Sequence, residues 1–209
     1  MLTKSHGISR YATHMTEAKQ LAIWTVGHSK HDIEAFIELV NQHEIQVIVD
    51  VRTSPFSKMA PQFNKEQLGA ALAKSGIDFL HMGASLGGRP TQEEFYDAEG
   101  HVFYDMMAET EEFKSGILRL VKGMERFRVA VMCSEGSPDK CHRTLLIGRV
   151  IQKMGHKVVN ILPNGTCEEQ EDLNAPSIQQ SLFGESEVKS WRSAVSVRQA
   201  LAQENSLDY

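Results

Sequence analysis

The sequence predicts a single-domain α/β protein of three layers, with a mostly parallel central sheet of about five strands. Three observations predict it. Short runs rich in β-branched residues alternate with amphipathic helical segments, the pattern of repeated βα units. Those runs are apolar at nearly every position, as in strands covered by helices on both faces. The chain has 209 residues and is 41% hydrophobic, enough for one sizeable core.

The elements follow in order. Residues 1–20 are polar and aperiodic and read as an N-terminal extension, with Met15 an alternative start to Met1. Leu21–Val26 reads as a buried strand ended by Gly27. Asp32–His43 reads as a helix, with Ile33, Phe36, Ile37, Leu39 and Val40 on one face. Gln46–Val51 is a second strand and Lys65–Ser75 a helix, its Leu68, Ala71 and Leu72 inward and Gly76 at its end. Ile77–His81 is a third strand, followed by a long loop from Met82 to Pro90. Thr91–Val102 reads as a short helix and turn. Tyr104–Arg126 reads as one helix with an apolar stripe of Phe113, Ile117, Leu118, Leu120 and Val121. Arg128–Met132 is the fourth strand, Cys141–Met154 a helix closed by Gly155, and Lys157–Leu162 the fifth strand. This places the domain at 21–163. From 164 to 209 the chain reads as an acidic, turn-rich tail with a terminal helix near Glu185–Gln203.

Composition narrows the functional classes. No apolar run reaches the roughly 20 residues of a membrane helix. The three cysteines, Cys133, Cys141 and Cys167, are an odd number in a chain whose start lacks a secretory pattern. That combination points to reduced thiols and a cytoplasmic location. The net charge of -5 argues against a broad duplex-binding surface, so any grip on phosphate must be local.

Ligands of open parallel sheets bind beyond the carboxyl ends of the strands. Four polar motifs fall on that edge: Gly27-His28-Ser29, Asp50-Val51-Arg52, Gly87-Gly88-Arg89-Pro90, and the segment from Cys133 to Arg143. Their convergence predicts one polar site. His28 and Asp50 are candidates for proton transfer there. Asp50 and Arg52, two residues apart, would share a side, either as an internal pair or as a holder of hydroxyl and phosphate. Ser29 or Asp32 would cap the following helix. Gly87 and Gly88 would let backbone amides approach an anion, with Arg89 adding a forked charge. Cys133 at a strand end before a helix is a candidate thiolate, or else a buried packing residue. Glu135 is a candidate acid, base or nucleophile, or else a partner of Arg143. His142 and Arg143 stand in the helix's first turn, where positive charge opposes the dipole unless an anion binds nearby. The Cys-x7-Cys-His spacing matches no familiar zinc pattern, so neither a metal nor another cofactor is expected.

Together these motifs, with Pro55, Ser57 and Pro138, resemble the uncharacterised family called domain of unknown function 488, over about residues 23 to 162. The chain has Ser134 where members of that family usually carry alanine. The resemblance implies the fold and the site and no reaction. Separately, Gln179-Gln180-Ser181-Leu182-Phe183 is similar to the pentapeptide that docks on bacterial sliding clamps, with Gln179, Leu182 and Phe183 as anchors; Leu182 and Phe183 packing on the domain is the alternative.

Three functions follow as expectations. The first is an enzyme acting on a nucleotide or nucleic-acid base, linked to DNA repair or replication. In it Arg52, Arg89 and Arg143 hold phosphate, and His28, Asp50 and Glu135 do the chemistry. The second is a thiolate enzyme of sulfurtransferase or phosphatase type using Cys133. The third is a non-enzymatic nucleotide-binding or clamp-associated protein.

Overall fold

The structure, a computed structural model, describes residues 19–173 and 191–199. The N-terminal extension, most of the expected terminal helix, and the anchors Gln179, Leu182 and Phe183 lie outside the described residues.

Six strands form one sheet: β1 (Ala22–Gly27), β2 (Val47–Asp50), β3 (Asp78–His81), β4 (Val129–Cys133), β5 (Lys157–Ile161) and β6 (Cys167–Glu169). Their order is β3-β2-β4-β1-β5-β6. Every pairing is parallel except that of β5 with β6. The sixth strand is the difference from the expectation of about five. It is three exposed residues that turn back after Gly165 (φ 86°), so its sequence carries no apolar run to announce it.

Helices cover both faces. On one, α1 (Ile33–Gln42) and α2 (Lys65–Lys74) pack Phe36, Leu39, Val40, Leu68 and Leu72 against Val26, Ile48, Ala130 and Met132. Asp32, not Ser29, caps α1, its carboxylate accepting the Ala35 amide at 2.7 Å. On the other face lie α3 (Gly83–Leu86), α4 (Tyr104–Glu109), α5 (Glu111–Met124) and α6 (Arg149–Lys153). The loop expected from Met82 to Pro90 thus contains one helical turn.

The expected single helix 104–126 is two. Thr110 ends α4 and caps α5, accepting the Phe113 amide through Oγ1 while its hydroxyl donates to the Met107 carbonyl. Within α5, Phe113, Gly116, Ile117, Leu120 and Met124 are buried, while Leu118, expected in the apolar stripe, is 57% exposed. The helix after β4 begins with a wide π-type stretch, Arg143–Gly148, before α6. Such stretches are uncommon and gather at functional sites.

The chain beyond 163 belongs in part to the domain. Besides β6, residues 191–199 dock on it: the Tyr104 amide donates to the Trp191 carbonyl at 2.8 Å, and Val197 is buried in the core.

Candidate functional site

Register brings the motifs to one level. Gly27 pairs with Cys133, and Asp50 lies opposite both Met132 and His81. The residues that follow these strands therefore share the carboxyl edge of the sheet, as the sequence predicts. The pleat then divides them. Along β4, Ala130 and Met132 face α1 and α2, while Val129 and Val131 face the other layer. By the same alternation Cys133 joins the second face. His28 and Asp50 follow Val26 and Ile48 onto the first. The single polar site becomes two clusters, one on each side of the sheet edge.

The first cluster is closed on itself. Asp50 is fully buried and holds Arg52 in a two-pronged ion pair, Nε to Oδ1 at 2.9 Å and NH2 to Oδ2 at 2.7 Å. Arg52 also donates to the Phe63 carbonyl at 2.7 Å and to His28 Nε2 at 3.2 Å. The other ring nitrogen, Nδ1, donates to the Ser29 carbonyl at 3.0 Å. His28 is thus a neutral acceptor stacked on Phe63, with ring centroids 4.2 Å apart. Burial and the Arg52 charge pull its pKa down to about 4. Of the two readings of Asp50 and Arg52, the internal pair is the one realised. The His28 lone pair expected for proton transfer is taken by Arg52. Phe63, which stacks under the ring, has no polar signal in the sequence to single it out.

The second cluster gathers the thiols. Cys133 Sγ lies 3.8 Å from His142 Nδ1, and Cys141 Sγ lies 3.9 Å from the same atom. The three donor atoms are all within 4.8 Å of one another. His142 Nε2 donates to the Val51 carbonyl at 3.0 Å, which fixes the tautomer and leaves Nδ1 facing the sulfurs. The ring is further held by Gly88: a Cβ there would come within 2.5 Å of His142 Cγ. That close approach requires a glycine there. The amide of Gly87 donates to the Gly83 carbonyl at 3.0 Å, and that of Arg89 to Thr53 Oγ1 at 3.2 Å.

Electrostatics separates the two thiols. The Cys141 S–H hydrogen bond, then the His142 imidazole and the Arg143 guanidinium, hold the Cys133 thiol well below its usual range, against the effect of burial. Burial, with Cys133 beside it, pushes the Cys141 thiol up. Of the two, Cys133 is the thiol whose anion the surroundings favour. Burial likewise pushes the phenol of Tyr104 up; it lies within electrostatic reach of both sulfurs.

Arg143 is fully buried and does not open toward a ligand. Its NH1 donates to the Glu135 carbonyl, its NH2 to the Gly136 carbonyl at 3.0 Å, and its Nε to Thr25 Oγ1 at 3.3 Å. It pins the loop between β4 and the helix. Gly27 makes room for this, because a Cβ there would overlap the Glu135 carbonyl. Arg143 meets the main chain of Glu135; the Glu135 side chain is exposed. Ser29, at a left-handed φ of 48°, donates its amide to the Ser134 carbonyl at 3.0 Å and ties the same loop to β1. The expected cradle of three arginines is therefore replaced, at Arg52 and Arg143, by two guanidiniums that donate to groups of the protein.

Cys141 is the site residue that the sequence candidates omit. Its signal is adjacency to His142, eight residues after the strand-end Cys133. A family model described as "Domain of unknown function DUF488" matches residues 32–150. No curated protein and no solved structure matches the chain.

Proposed function

The chain belongs to the DUF488 family, and from that premise we propose that it is an enzyme whose nucleophile is the Cys133 thiolate. The observation that carries this is the approach of Cys133 Sγ to His142 Nδ1 at 3.8 Å, in a ring whose other nitrogen is committed to the Val51 carbonyl. A base oriented by a third group is the arrangement that nucleophilic catalysis requires. His142 Nδ1 takes the thiol proton. The sulfur attacks an electrophilic centre and forms a covalent bond to it. The same proton then goes to the departing group. Cys141 stays protonated and donates to the thiolate. The His28–Asp50–Arg52 cluster positions the strand ends rather than touching substrate. This is the thiolate reading of the sequence; an arginine cradle for phosphate draws less support, because Arg52 and Arg143 are occupied.

The test is iodoacetamide labelling of the full chain, reduced and freed of metal, with each thiol mapped by mass spectrometry near neutral pH. Cys133 should label roughly tenfold faster than the exposed Cys167, since rate follows thiolate fraction. Replacing His142 by Gln should erase most of that advantage while Cys167 labels as before. A native chain in which Cys167 labels first and Cys133 stays inert would overturn the proposal.

A further inference from the structure

We infer that Cys133, Cys141 and His142 form a binding site for one zinc-class divalent cation, with a fourth position left to water or substrate. The inference uses the same side chains as the nucleophile reading but not its chemistry.

The geometry carries it. Around a tetrahedral zinc with sulfur at about 2.3 Å and nitrogen at about 2.0 Å, neighbouring donors stand roughly 3.5–3.8 Å apart. The two sulfur–nitrogen separations here are 3.8 and 3.9 Å, and all three donors lie within 4.8 Å of one another. The sulfur–nitrogen separations are already near those values, and at most 4.8 Å between the sulfurs is a gap that side-chain rotation can close without a new backbone path. Ligating histidines nearly always donate their second nitrogen to a carbonyl or carboxylate. His142 already does so, to Val51, with the unprotonated nitrogen aimed at the sulfurs.

Charge agrees. Two thiolates and a neutral imidazole make a set of charge -2, which a divalent ion neutralises in a site where both cysteines are almost wholly buried. Thiolate and imidazole donors select zinc and its neighbours over magnesium or calcium. Backbone also favours it. Gly88 packs on the ring and Arg143 clamps the loop, so two ligands from the helix start and one from the strand end are fixed before any ion arrives. The Cys-x7-Cys-His spacing gave no sign of this. Familiar zinc patterns pair ligands at short intervals, whereas here the β4 turn brings the third ligand in.

A second group of donors, Asp97, Glu99 and His101, differs on this point: Arg192 NH1 sits 2.6 Å from Asp97 Oδ2, where a cation would have to compete with it.

The experiment is an anaerobic cobalt titration of the full reduced chain after chelator treatment. The expected result is one cobalt per chain, with thiolate-to-cobalt charge-transfer absorption and the intense visible bands of tetrahedral coordination, all displaced by one equivalent of zinc. Cys133→Ser and Cys141→Ser should each abolish the charge-transfer signal or weaken it severalfold, and Cys167→Ser should leave it intact. A wild-type chain that gives no thiolate-to-cobalt absorption overturns the inference without recourse to any variant, as does a signal that depends on Cys167 alone. The two readings separate cleanly. A chain that labels rapidly at Cys133 and binds no cobalt keeps the nucleophile and loses the metal. One that binds cobalt with an inert Cys133 does the reverse.

Discussion

Arg143 shows most clearly what a single residue does here. A cation in the first turn of a helix opposes the dipole, and the sequence reading resolved that conflict with a bound anion. The structure resolves it with carbonyl groups. The loop after β4 turns its Glu135 and Gly136 carbonyls toward the buried Arg143, and one planar guanidinium satisfies both and Thr25 as well. Its charge also favours the Cys133 thiolate, so one residue ties loop shape to thiol chemistry. Arg143→Met keeps the bulk and removes the donors. Two part-buried carbonyls that lose their donors should cost about 2 kcal/mol, read as a lower midpoint in urea unfolding; Arg143→Lys should recover part of the loss. A Met variant within about 1 kcal/mol of the parent would show that water replaces the clamp.

At the scale of elements, most of the fold was legible. Five strands and the α1, α2 and α5 segments stand out because an apolar period of two or 3.6 reports which face is buried. What was not legible has physical causes. The exposed β6 buries nothing, so burial leaves no pattern in it. The break at 110 is written only in a threonine followed by two glutamates, residues with other uses in a helix. Leu118 is apolar and adjoins the stripe, but the buried face of α5 runs through Phe113, Ile117, Leu120 and Met124 and leaves it outside. The site was half legible. Strand ends brought the named motifs to one edge, but the division by pleat required the register, and the register is a tertiary fact. Thr110→Ala should remove the α5 cap and cost about 1 kcal/mol, while Thr110→Ser or Thr110→Asp should cost far less. If all three variants unfold at the same denaturant concentration, the Oγ1 contact to Phe113 is incidental.

At the scale of the molecule, the carboxyl edge is where the connections diverge. After β1 the chain crosses toward β2 on the α1 face; after β4 it crosses toward β5 on the opposite face. Adjacent strands whose exits part in this way mark where open α/β sheets bind ligands, and Cys133 ends one of them. The placing of Cys141 and His142 beside it depends on the helix that follows, and a distant part of the chain holds that helix in place. Trp191 donates Nε1–H to the Leu145 carbonyl at 2.6 Å, and Arg149 and Lys153 lie over its ring. The accepting carbonyl lies in the π-type stretch, whose wide winding leaves main-chain groups that an ordinary helix would pair internally. Trp191→Ala should therefore do two things. It should lower global stability by roughly 2 kcal/mol, less than a fully buried tryptophan would cost because this ring is half-buried. It should also slow Cys133 labelling relative to Cys167 under conditions where circular dichroism shows the chain folded, since the helix start that carries Cys141 and His142 loses its brace. Trp191→Phe separates the parts: it keeps the packing and loses the hydrogen bond, so it should recover stability better than it recovers reactivity. If both variants match the parent in labelling, the 191–199 segment stabilises the domain without steering the site.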